Sequence, residues 1–305
     1  MCTDQLLTII LVSVIILISK KQRRDIRHMI LVSTGAVMRK PHDINEYMIL
    51  SEHSKHLNCD GYEFMSDGYD FINGENTAAK CRKLAEMLLK CGKPFPTFHI
   101  QKHIGDHLSG TRPDDTETAL SMFENDCILA DMLGSKLLVL HLWNGMISDF
   151  NFGANFLMYP KLKEISDRYG LKLTIENVVC NNKDPMTHLK ELAAAYSDIL
   201  FTFDTKMSQF HGQTEELFLT ENKGISDRIS HFHINDYKGG YKEWDKLKTL
   251  NIGDGQVDFD RVFEHIRKCG YCGDFTIEST SVNKSGETDY EKLNRSIELI
   301  REYLK

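Results

Sequence analysis

The chain predicts an α/β fold of the (β/α)8 TIM-barrel type in a single domain, and three observations predict it. Eight short β-rich runs alternate with longer amphipathic stretches. No Pro-, Gly- or Ser-rich linker and no low-complexity tract separates them, so the alternation belongs to one domain. A doubly wound sheet usually has fewer strands, whereas eight strands in roughly 275 residues suit a closed barrel.

The runs at 30–36, 61–65, 96–100, 136–141, 171–176, 199–204, 229–235 and 274–278 each carry β-branched or aromatic residues over a strand's length. Helical periodicity falls over 77–90, 116–133, 155–169, 185–196, 259–269 and 290–303. Gly92, Gly170 and Gly270 follow three of these helices, where a left-handed cap is wanted, and Asp184-Pro185 opens another.

The barrel is assigned to 29–305, and residues 1–28 are read apart from it. Leu6 to Ile18 is an almost unbroken apolar run, short of the roughly 20 residues that span a bilayer. Lys20, Lys21, Arg23, Arg24 and Arg27 follow it, the wrong polarity for a cleaved secretory signal. The segment is compatible with a non-native or upstream extension, a short anchor with its basic flank in the cytoplasm, or an added helix. A membrane partner is expected only for the anchor, and the barrel itself is expected in the cytoplasm.

The formal charge of −7 argues against a surface built to neutralise nucleic acid, so a small polar substrate is the better expectation. The eight cysteines are scattered, with one CxxC at Cys269 and Cys272 and no second pair to complete a zinc module. They read as reduced intracellular thiols, and the CxxC as a turn. A homo-oligomer is compatible with all of this.

In such a barrel the carboxyl ends of the strands form the active face. Six consecutive strands end on or close to residues suited to metal binding or proton transfer: His99, His141, Glu176, Asp204, His233 and Glu278. Carboxylate and imidazole donors without thiolate suit one divalent ion, Mn²⁺, Mg²⁺, Co²⁺ or Zn²⁺.

The phrases Thr174-Ile-Glu-Asn177, Phe203-Asp-Thr205, His231-Phe-His-Ile-Asn-Asp236, Ile252-Gly-Asp-Gly-Gln-Val-Asp-Phe259 and Gly270-Tyr-Cys-Gly-Asp-Phe-Thr-Ile-Glu278 resemble the xylose isomerase-like TIM-barrel superfamily, nearest its sugar phosphate isomerase/epimerase branch. The resemblance runs from Met29 to the carboxyl terminus. It implies a metal held by Glu176, Asp204, His233 and Glu278, with Glu176 and Glu278 also transferring the proton. The implied reaction is isomerisation or epimerisation of a sugar or sugar phosphate through an enediolate.

Around this set, His99 and His141 either contact substrate hydroxyls or make structural hydrogen bonds at their strand ends, Trp143 either covers an apolar sugar face or packs in the core, and Glu63 is a candidate to face the barrel mouth from strand two. Many relatives carry a histidine where Met207 stands; His211 is either its substitute or a helix-surface residue. The loop after strand seven has no arginine, but Lys238 or Lys242 could meet an anionic group.

Three rival functions share these features. A dehydratase of the inosose or dehydroshikimate type begins with the same proton abstraction. An apurinic endonuclease-like hydrolase is opposed by Met207 and by Leu247-Lys-Thr249, where further metal ligands are wanted, and by the acidic charge. A non-catalytic carbohydrate-binding protein would not need both Glu176 and Glu278.

Overall fold

In the computed structural model of the protein, which describes residues 27–38, 41, 43–66, 72–145, 149–282, 285 and 287–305, the eight β-rich runs become eight parallel strands closed in sequence order. They are β1 Ile30–Ser33, β2 Gly61–Met65, β3 Thr97–His99, β4 Leu137–Leu140, β5 Lys172–Glu176, β6 Leu200–Asp204, β7 Ile229–His233 and β8 Asp274–Ile277. Val32 pairs with Ile277 as well as with Tyr62, and this closes the barrel.

Alternation along each strand decides where the chemistry goes. Phe98, Leu140, Ile175, Phe203, Phe232 and Ile277 are buried in one apolar cluster with the helix residues Phe123, Leu162, Leu189, Phe263 and Ile297. Their neighbours in sequence turn inward and are polar: Glu63, Thr97, His99, Thr174, Glu176, Thr202, Asp204, His231, His233 and Thr276, all buried. Such groups persist inside only when partnered. Accordingly Thr174 Oγ1 lies 2.8 Å from Leu138 O and 2.7 Å from Thr202 Oγ1.

The main helices fall where the periodicity predicts, over Thr77–Leu89, Asp115–Leu133, Phe152–Arg168, Pro185–Ala195, Phe259–Cys269 and Tyr290–Tyr303. Asp184 caps the fourth by accepting Thr187 N at 2.9 Å, and Gly270 ends the fifth at φ +69°. The run Ile252–Phe259 has an architectural explanation. The Asp236 carboxylate accepts the backbone N–H groups of Tyr237, Gly253, Gly255 and Val257 at 2.8–3.0 Å, tying this loop to the end of β7. A Cβ at Gly255 would lie 2.3 Å from Asp236 Oδ1, so glycine is required there.

Cys269 and Cys272 are free and exposed on the turn between the fifth main helix and β8. Among the described residues no helix is long and apolar enough to cross a membrane. The apolar run 6–18 and the basic residues 20–24 lie outside the described residues.

Candidate functional site

Four consecutive strand ends bring Glu176, Asp204, His233 and Glu278 together, each offering one ligand atom within 4.8 Å of the others. Glu176, Asp204 and His233 are the last residues of β5, β6 and β7, and Glu278 directly follows β8. Asp204 pairs across the sheet with His233, which sets two of the four side by side.

Each of these positions is fixed by its neighbours. Asp204 is the N-cap of the helix Thr205–Phe210, its Oδ1 accepting Met207 N at 2.8 Å. Asn177 grips its backbone, accepting Asp204 N at 2.6 Å and donating to Asp204 O at 3.1 Å. Asn235 plays a matching part for the next pair. Its Nδ2 donates to Asp204 Oδ2 at 2.8 Å and Glu278 Oε2 at 3.1 Å, while its Oδ1 accepts Glu278 N at 2.9 Å.

His233 stands between two sets of carboxylates. Its Nδ1 lies 2.9 Å from Glu176 Oε1 and 3.4 Å from Glu278 Oε2; its Nε2 lies 3.3 Å from both oxygens of Glu63. Burial opposes charge on the imidazole, but Glu278, Glu63 and Glu176 outweigh it and hold its pKa well above the ordinary value. Burial likewise raises Glu176, and His233 and His141 overcome it, leaving the carboxyl well below its usual range. At Asp204 burial prevails over the pull of Lys206 and pushes the carboxyl up to about 6.

The second oxygen of Glu176 faces the other histidines, 2.7 Å from His141 Nε2 and 3.4 Å from His99 Nε2. His99 Nδ1 donates to Ile100 O at 2.9 Å, so its Nε2 is the nitrogen left facing the carboxylate. His99 Nε2 is buried without a hydrogen-bond partner. Burial drives the His141 pKa down to about 4 despite Glu176. Both histidines are therefore aimed at Glu176, where hydroxyl contacts are expected from the sequence.

Other predicted positions come out differently. Glu63 does not open onto the mouth; it lies fully buried beneath His233, accepting Thr276 Oγ1 at 3.0 Å with His231 Nε2 at 3.1 Å. Trp143 is a core ring packed on Phe152 and His188, its indole N–H donating to Val178 O at 2.9 Å, and it offers no face to a sugar. His211 is neither a helix-surface residue nor a neighbour of the four ligands. It is buried, and its Nε2 accepts Cys180 N at 3.0 Å. Lys238 is exposed, while Lys242 donates to Asn181 O at 2.9 Å.

Sequence reasoning missed three residues at the site. His231 is signalled by period two, since it lies two positions before His233 on the same strand face. Asn235 repeats, two residues past His233, the clamp that Asn177 makes one residue past Glu176. Lys206 has no strand-end signal. It sits in the first turn after β6, buried, with Nζ 3.0 Å from Thr249 Oγ1 and 3.8 Å from Asp204 Oδ2. Burial works against its charge, but Asp204, Glu278 and Glu176 outweigh it and raise the pKa above the usual lysine range.

Comparison with known proteins agrees with this architecture. A family model described as xylose isomerase-like TIM barrel matches residues 52–303. The uncharacterized protein MJ1311 of Methanocaldococcus jannaschii is 23% identical over 268 residues, 81% of each chain. A shorter match, 41% over 49 residues and 16% of each chain, is to the L-ribulose-5-phosphate 3-epimerase UlaE of Escherichia coli. Among solved structures, a D-tagatose 3-epimerase-like protein superposes with TM-score 0.67 at 19% identity, covering 90% of this chain and 97% of that one. An L-ribulose 3-epimerase gives 0.65 at 13%, covering 91% and 95%.

Proposed function

Since the chain belongs to the xylose isomerase-like TIM-barrel family, we propose that it is a metal-dependent sugar isomerase or epimerase whose single divalent ion is held by Glu176, Asp204, His233 and Glu278. One observation carries the reading: four donors from four successive strand ends, three carboxylates and one imidazole, converge within 4.8 Å of one another. The donor chemistry fits Mn²⁺, Mg²⁺, Co²⁺ or Zn²⁺. Glu63 supports it from behind, since its position against Nε2 leaves Nδ1 of His233 as the ligating nitrogen.

When bound, such an ion polarises the carbonyl and neighbouring hydroxyl oxygens of a sugar and acidifies the C–H between them. The chain's own residues do the rest. Glu278, whose side chain is 11% exposed against none for Glu176, is the more open carboxylate. One of the two takes the proton from carbon and the other returns it, to the opposite face for epimerisation or to the adjacent carbon for isomerisation. His99 and His141 orient Glu176, and Asn235 keeps Asp204 and Glu278 in register.

A second stoichiometry is favoured by one observation. His99, His141 and the second oxygen of Glu176 form another three-donor group, and His99 Nε2 in it lacks a hydrogen-bond partner. Manganese titration of metal-stripped protein, followed by electron paramagnetic resonance, tests both. One equivalent lost on Glu176→Gln or Asp204→Asn supports the single-ion site; two equivalents, one lost on His99→Gln, supports the pair. Full binding by all three variants would remove the site from consideration.

A further inference from the structure

Lys206 is a buried cation whose donors the protein leaves largely unused. An ammonium carries three N–H groups. Among the described residues only Thr249 Oγ1, at 3.0 Å, accepts from it at close range, and the nearest carboxylate oxygen, Asp204 Oδ2, makes a long ion pair with it at 3.8 Å. A lysine serving only as counter-ion to Asp204 would close that gap, as the exposed pair Lys223 and Asp227 does at 2.5 Å. Lys206 instead stays with the hydroxyl of Thr249.

We infer that Lys206 is a substrate-binding residue, donating to the sugar oxygen that becomes negative as the proton leaves the adjacent carbon. The inference rests on the isomerase or epimerase reading. In that step the C–H electron pair becomes a carbon–carbon double bond, the carbonyl π pair moves onto oxygen, and the proton passes to a carboxylate of the site. Return of the proton reverses each movement, so no other reactant is consumed. A fixed ammonium facing that oxygen stabilises it without reorganisation, and loss of one such donor typically costs about 10²–10³-fold in turnover. Thr249 acts through Lys206 as a positioning residue, holding the ammonium away from Asp204.

Oxalate is a planar dianion with two adjacent oxygens, a stable mimic of an enediolate, and its calorimetric titration into the Mn²⁺-loaded full chain tests the assignment. Lys206→Met should bind Mn²⁺ at least as tightly as the native protein, because a positive charge has left the ligand field, yet bind oxalate about 10–100-fold more weakly. Thr249→Val keeps the charge and should lose about threefold or more. Oxalate affinity within twofold of native in Lys206→Met, or no oxalate binding by the Mn²⁺-loaded native protein, overturns the role of Lys206 while leaving the metal site standing. Should Lys206→Met fail to bind Mn²⁺ through misfolding, Thr249→Val decides, and unchanged oxalate affinity there overturns the assignment. Failure of the native chain to bind Mn²⁺ at all would remove both the proposed function and this role.

Discussion

Replacing Glu63 by glutamine changes one buried charge and almost no volume, yet it should weaken the metal site from behind. The Glu63 carboxylate touches His233 Nε2 at 3.3 Å through both oxygens, His231 Nε2 at 3.1 Å, and accepts Thr276 Oγ1 at 3.0 Å. A glutamine carbonyl can keep the Thr276 contact, but its amide then stands where Oε1 stood. That amide donates, so one of the two acceptors facing Nε2 becomes a donor, and the preference for a proton on Nε2 over Nδ1, the proposed ligating nitrogen, is weakened. Loss of such an outer partner lowers metal affinity about 10–100-fold, or about 1.4–2.7 kcal/mol. Calorimetric Mn²⁺ titration of Glu63→Gln measures this, with circular dichroism to establish that the barrel is folded. Native affinity to within twofold, in a folded variant, would refute the argument that Glu63 fixes the tautomer of His233.

Three other outcomes follow from the same geometry. Because its surrounding carboxylates hold the His233 pKa well above the ordinary value, the imidazole keeps its proton more tightly than a free histidine and must give it up to ligate, so Mn²⁺ binding should release protons and tighten as pH rises; calorimetry in buffers of different ionisation enthalpy reads the release, and zero would contradict it. Trp143→Phe should cost about 1–3 kcal/mol in urea unfolding by leaving Val178 O with only the weak Cys180 thiol donor, with KM unchanged, and a raised KM would return Trp143 to the substrate. Burial holds His211 at about 4, below its unfolded value near 6.5, so the unfolded chain binds the extra proton between those limits. Stability should therefore fall as pH drops from about 6.5 to about 4, by at most about 3 kcal/mol from this residue, and His211→Gln should flatten that part of the profile.

The eight strands were legible because apolar residues recur on alternate positions facing the helices, and because aspartate and glycine mark helix ends where the chain turns. The four candidate ligands were legible for the same reason, as the inward residues at or just past the ends of four successive strands. Register reasoning fails beyond that point. Trp143 follows His141 by two, but β4 ends at Leu140, and the chain has already turned into the core by Trp143. Glu63 and His231 lie one layer deeper than the strand ends, where an inward polar residue supports a ligand instead of meeting substrate. Lys206 and His211 depend on how a helix of six residues folds back over the barrel, which no periodicity in so short a segment encodes. The basis for the lysine's role is the distance between Nζ and its neighbours, and a sequence does not carry distances.

The central claim is that this barrel removes and returns a proton on a sugar carbon with two carboxylates beside a metal. Incubating the Mn²⁺-loaded chain in D₂O with a panel of free and phosphorylated ketoses, and reading the products by NMR, tests it most directly. The account predicts deuterium on the carbon next to the carbonyl of at least one sugar, without loss of water, abolished by Glu278→Gln and by Glu176→Gln. Loss of hydroxyl would make the protein a dehydratase. Stoichiometric metal with sugar bound and no exchange in any member of the panel would contradict the account.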